Sequence, residues 1–226
     1  MARYAPDPAQ RVTVFLGEAG CGKSELAVQW ALTAAERRRD VHFFDLDQTK
    51  PLLRSRDAAA LLEGAGVTVH FEQQCADAPT QVGGLVPLLL DKSKSVILDV
   101  GGNDTGARLI GGYAHLLKSA DAYFVVNPYR PWSGTVAHID GTLSAVLKAA
   151  RLGLRFLLNP TLGIGTTAEE FLVGVEQGLR LLTPYVKVEA AAVSETLLPE
   201  VEGRTELPLL PLTPRMTVPE TGLDEG

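Results

Sequence analysis

Apolar runs of four to seven residues recur along the chain, and most are followed by a stretch whose apolar positions have helical spacing. The runs predict strands over Arg11–Leu16, Val41–Asp45, Val67–Phe71, Ser95–Val100, Ala122–Asn127, Leu154–Leu158 and Tyr185–Val193. Helices are expected over Lys23–Arg38, Thr80–Leu90, Gly106–Lys118, Gly134–Arg151 and Thr167–Leu182, with a shorter one over Asp57–Glu63. Strands that are apolar throughout, rather than alternating, are buried on both faces. Separated by helices, they make a mostly parallel sheet covered on both sides, which takes ligands at the carboxyl ends of its strands. The expected class is α/β, in three layers, with a central sheet of about seven strands.

The texture changes after Ser194. Residues 195–226 hold five of the 14 prolines and no helical period. Proline blocks helix and sheet hydrogen bonds, so the expectation is one domain over residues 1–194. A Pro-rich extended tail over residues 195–226 then packs along it and frays after about Val218.

Composition narrows the function classes. The 226 residues are 46% hydrophobic and 21% charged, ordinary for a soluble domain, and no apolar run approaches the length of a spanning helix. Residues 1–10 are polar, without the apolar core of a secretory signal, so a cytoplasmic location and no membrane partner are expected. The net charge of −6 argues against nucleic acid as a partner, because phosphate backbones select basic faces. The one basic cluster, Arg37, Arg38 and Arg39, ends a predicted helix, where it complements the helix dipole. Cys21 and Cys75 form no metal-ligand or redox spacing. His42 alternates with apolar neighbours and reads as a packed or edge histidine.

One motif carries chemistry plainly. Gly17, Glu18, Ala19, Gly20, Cys21, Gly22, Lys23 and Ser24 match G-x-x-x-x-G-K-[ST] without a mismatch, between a predicted strand and a predicted helix. In that setting the glycines let backbone N–H groups curl around phosphates, and the helix N-terminus adds its positive end. Lys23 is expected to reach the β- and γ-phosphates and Ser24 to ligate Mg²⁺. Two further strands end in acids, Asp45 and Asp47 after the second and Asp99 after the fourth. A carboxylate placed there faces the same crevice as the loop. Asp99 is assigned to the Mg²⁺ ion, with an ordinary turn cap as its alternative. Asp47 is assigned to the attacking water and the metal, and Asp45 to ordering its loop. The N–H of Gly102 is expected to meet the γ-phosphate.

Longer segments carry a family resemblance: Gly20-Cys-Gly-Lys-Ser-Glu25, Asp45-Leu-Asp-Gln-Thr-Lys-Pro-Leu-Leu-Arg-Ser-Arg56, Asp99-Val-Gly-Gly-Asn-Asp-Thr-Gly-Ala-Arg108, Val125-Val-Asn-Pro-Tyr-Arg-Pro131 and Asn159-Pro-Thr-Leu-Gly-Ile-Gly-Thr-Thr167. In this order they resemble the MinD/ParA-like (SIMIBI-class) branch of P-loop ATPases, and within it a set of bacterial MinD-superfamily ATP-binding proteins. The resemblance implies ATP and Mg²⁺ as ligands and a homodimer that acts on a partner protein. It also implies two switch segments, Asp47–Arg56 and Gly101–Arg108, and an Asn159 amide that reads the purine edge. Asn127, at the end of the fifth strand, reads equally as a turn residue.

The departures from that family matter as much. Its signature lysine, next to the first loop glycine, is here Glu18, an anion that stabilises no transition-state charge. Arg54 or Arg56 is then the expected source of the missing cation. The region after the second switch has no cysteine to hold a cluster, and the Pro-rich tail cannot form a membrane-anchoring helix. The leading expectation is a slow ATPase switch. A small-molecule kinase and a non-hydrolysing nucleotide-binding adaptor are its alternatives.

Overall fold

The structure is a computed structural model that describes residues 3–5, 7, 9–37, 40–47, 58–71, 83–101, 104–133 and 135–215. Eight strands form one parallel sheet: β1 Val12–Leu16, β2 Val41–Leu46, β3 Val67–Phe71, β4 Ser95–Val100, β5 Asp121–Val126, β6 Leu154–Leu158, β7 Val188–Ser194 and β8 Leu209–Leu212. The helices are α1 Lys23–Arg37, α2 Ala59–Gly64, α3 Leu85–Leu90, α4 Asp104–Gly112, α5 Val136–Ala150, α6 Ala168–Leu182 and α7 Leu198–Val201. The strand order is β3-β2-β4-β1-β5-β6-β7-β8. Strands two to four are laid on one side of β1 and five to eight on the other. The direction of growth reverses at β1, and such a reversal opens a crevice at the carboxyl ends of the strands.

The continuous apolar strands are buried on both faces. Val14, Leu16, Phe44, Leu98 and Phe124 pack on one side with Leu85 of α3, Ile110 of α4 and Phe171 of α6. Phe15, Phe43, Ile97 and Tyr123 pack on the other with Leu26 and Trp30 of α1 and Leu62 of α2. Parity along each strand decides the side, so one residue of slip in register would exchange the two cores. Arg11, just before β1, donates to the carbonyls of Leu88, Leu89, Asp91 and Lys94, and so caps the end of α3 where helix carbonyls lack partners. Thr167 and Glu170 form a reciprocal capping box that starts α6 one residue later than expected. His42 is buried, with its ring nitrogens 3.0 Å from His70 Nε2 and 2.9 Å from Asp40 Oδ1.

The segment beyond Ser194 supplies the eighth strand. Pro208 O accepts the N–H of Ala191 and Leu212 O that of Glu195, whereas Leu209 O turns outward and accepts the N–H of Tyr4, 2.8 Å away. By the same alternation the missing N–H of Pro211 faces outward, where no sheet partner needs it. Within the segment expected to be extended, Leu198–Val201 form α7 and the apolar 209–212 stretch pairs with β7. The helix α3 begins at Leu85, after Gly84 in the left-handed region, and residues 80–82 lie outside the described residues. After Gly112 the chain leaves helical geometry through short turns, so the helix expected to reach Lys118 stops six residues earlier.

Helix α6 approaches the sheet closely where it carries glycine. A Cβ on Gly178 would lie 2.6 Å from Cδ2 of the fully buried Leu158. Gly178→Leu is therefore expected to destabilise the protein by about 1–3 kcal/mol through overpacking, read as a lower denaturant midpoint at unchanged slope.

Candidate functional site

The chain leaves β1 at Leu16, runs through residues 17–22 and enters α1 at Lys23, so Lys23 and Ser24 open that helix. Their backbone N–H groups belong to the helix end that lacks internal acceptors and carries partial positive charge. Two glycines make this path possible. Gly17 has φ of 151°, and a Cβ there would lie 2.5 Å from Val125 O. Gly22 has φ of 86°, and a Cβ there would lie 2.1 Å from Asn159 Nδ2. Neither position has room for a side chain.

Around the loop the predicted acids converge. Asp45 and Asp99 stand directly opposite one another on β2 and β4, and Asp47 follows β2. All three are buried, with Asp99 fully so. Two carboxylates in register across neighbouring strands repel each other, an arrangement a sheet does not adopt for stability. Lys23 Nζ lies 2.7 Å from Asp47 Oδ2, with both side chains almost wholly removed from solvent. Burial works against the Lys23 charge, yet attraction to Cys21, Asp99 and Asp47 and the hydrogen bond with Asp47 raise its pKa above the ordinary lysine value. Asp45 Oδ1 accepts the N–H of Asp47, 3.2 Å away, and so shapes the turn that delivers Asp47 to Lys23.

The Ser24 hydroxyl is buried and has no hydrogen-bond partner among the described residues. An orphaned hydroxyl costs free energy unless a ligand satisfies it. With Asp99 and Asp47 close by, the donor set is all oxygen, as Mg²⁺ prefers. No group of three or more His, Cys, Asp or Glu among the described residues is placed to hold a metal alone, so such an ion would need phosphate or water oxygens as well.

The remaining expected residues are distributed as follows. Ala19 and Gly20 are exposed at the loop tip, Glu18 is half-buried, and Cys21 is a buried thiol. Glu25 is half-buried on α1, where its Oε1 accepts the N–H of Arg215. Asn159 follows β6 and is buried; its Nδ2 donates to Cys21 O at 2.8 Å, so one amide proton serves the loop. Arg54, Arg56, Gly102 and Cys75 lie outside the described residues.

One neighbour was quoted in the sequence without a role. Arg130 Nε donates to Gly20 O at 3.0 Å. Its turn is built on the fully buried Asn127, whose Oδ1 accepts the N–H of Tyr129 and whose Nδ2 donates to Thr161 O at 2.8 Å. The signal available was an Asn-Pro-Tyr-Arg-Pro turn directly after a strand that ends at the loop's edge of the sheet.

No protein-family model matches the sequence, and no curated protein sequence does. Among solved structures, the chain is similar to the signal recognition particle receptor FtsY from Elizabethkingia anophelis in complex with GDP, at TM-score 0.46 and 12% identity over 96% of this chain and 62% of that one. It is also similar to the signal recognition particle 54 kDa protein from Aeropyrum pernix K1 in complex with GDP, at TM-score 0.42 and 15% identity over 85% of this chain and 37% of that one. The chain thus spans less than two thirds of the length of either. Among the described residues no helix is long and apolar enough to cross a membrane.

Proposed function

We propose that this protein binds Mg²⁺ and a nucleoside triphosphate, ATP by preference, in the crevice around residues 17–24, and hydrolyses it slowly as a switch acting on a partner protein. The observation that carries the reading is the set of Lys23, Ser24, Asp47 and Asp99 buried together at the mouth of a glycine-built loop. Among the described residues the site gathers three buried carboxylates near Lys23 and leaves the Ser24 hydroxyl orphaned, features that a site made only for stability would avoid. A phosphate chain with Mg²⁺ answers each feature. Phosphate oxygens compete with Asp47 for Lys23, and Ser24 and Asp99 hold the ion. When bound, the ion offsets charge on the phosphates and orients them. Asp47, released from Lys23, is then within the crevice to order an attacking water. The homodimer and the purine-reading role of Asn159 rest on the family resemblance alone, and the cytoplasmic location on the polar residues 1–10.

The test is phosphate release and equilibrium binding with pure protein, Mg²⁺ and either ATP or GTP. Slow, EDTA-sensitive phosphate release with tighter ATP binding is the expected result. Binding of neither nucleotide would overturn the reading, and tighter GTP binding would overturn the ATP assignment with the role of Asn159. Arg54→Ala and Arg56→Ala, assayed beside the wild type, decide whether those arginines assist hydrolysis.

A further inference from the structure

A phosphate chain carries several negative charges, and a cation fixed beside the loop that grips it favours binding.

Arg130 is placed to supply it. Beyond the Nε bond to Gly20 O, its Cζ lies 3.7 Å from where a Cβ on Gly20 would stand, so the guanidinium lies against the loop tip. The side chain is half-buried and its backbone is pinned, with Arg130 N–H on Asn127 O and Arg130 O accepting the N–H of Ser133. Because a trans peptide is planar, a held carbonyl also fixes the direction of the following N–H, and that of Cys21 meets Glu18 O at 3.2 Å. Arg130 on Gly20 O and Asn159 on Cys21 O therefore fix two successive peptide planes of the loop. A guanidinium stays charged at every accessible pH, so the first brace also brings a permanent cation.

We propose that Arg130 is a positioning residue for the phosphate grip: it sets the loop tip and adds a positive charge to it in cis. The inference rests on the nucleotide reading above. Its test compares wild type, Arg130→Gln and Arg130→Lys for binding of fluorescent ATP and ADP with Mg²⁺, over a range of salt concentrations, with thermal unfolding measured in parallel.

Arg130→Gln is expected to weaken ATP binding about tenfold, the scale of one lost charge-assisted interaction. ADP should weaken less, because the effect falls with the number of phosphates. The salt dependence should become shallower. Arg130→Lys should recover part of the ATP affinity by restoring charge without the guanidinium plane.

Binding by Arg130→Gln within twofold of the wild type for both nucleotides overturns the inference and leaves the nucleotide reading intact. Equal losses for ATP and ADP with a lowered melting temperature also overturn it, by making Arg130 a structural brace only. Failure of the wild type to bind either nucleotide removes the nucleotide reading, and this inference with it.

Discussion

Lys23→Met is expected to abolish measurable nucleotide binding and, separately, to destabilise the fold by about 3–5 kcal/mol. The second effect follows from burial. Lys23 and Asp47 are 2% and 1% exposed at their side chains and lie 2.7 Å apart. Removing Lys23 takes its ammonium from beside a buried carboxylate in a medium that solvates charge poorly, and this penalty exceeds whatever the pair contributes while intact. Lys23→Met/Asp47→Asn removes both charges and should recover most of the lost stability in denaturant titration. It should not recover binding, because the phosphates still lack their ammonium. Recovery of both by the double variant would show that Lys23 serves only to neutralise Asp47. The pH dependence has a definite sign. The pKa of Lys23 in the folded protein is raised above the ordinary value of 10.5, so its contribution to stability is fully present below that value. It is lost as pH rises through the raised value, and the variant should therefore lack an alkaline loss of stability that the wild type has.

Gly22→Ala is the second large effect, and it comes from a single methyl group. The added Cβ would lie 2.1 Å from Asn159 Nδ2, which is buried and engaged with Cys21 O, and φ of 86° is itself strained for alanine. The loop must leave its path or Asn159 must leave the loop, and either change misdirects the N–H groups aimed at phosphate. Affinity for Mg²⁺–ATP should fall by at least about a hundredfold, while the sheet stays folded because Cys21 alone of loop residues 17–22 belongs to a core. Gly22→Ala/Asn159→Ala tests the cause. It removes the collision but keeps the backbone strain, so circular dichroism should stay native while affinity returns only in part. Wild-type affinity in Gly22→Ala would mean that the loop does not grip phosphate in this shape.

How much of this was legible in the sequence depends on the reach of each interaction. The strands β3, β4 and β6 have the predicted bounds: β4 is buried along its whole length, and β3 and β6 are short apolar-rich runs set off by polar or glycine-containing turns. The path of residues 17–22 between β1 and α1 was legible because it is dictated by its own glycines and by the elements next to it. The eighth strand was hidden by Pro208 and Pro211, whose cost depends on which side of a strand faces a partner, and composition does not encode that. The helix expected to reach Lys118 was a matter of local chemistry: the pair Gly111 and Gly112 weakens a helix that the apolar spacing alone would continue. The clasp on the loop was least legible. Arg130 is 110 positions from Gly20 and Asn159 is 138 from Cys21, and no local pattern joins residues so far apart.

That separation has a consequence for the life of the chain. The two side chains that fix the loop carbonyls arrive on segments after β5 and β6, long after residues 17–24 have been made. A chain emerging during synthesis carries the complete motif without the two side chains that brace its carbonyls, and folding of the amino-terminal half alone leaves it so. On the proposed function, capture of nucleotide is therefore a late event, withheld until the far side of the sheet has seated. Once it occurs, the ligand favours the finished molecule over every unfinished one by mass action.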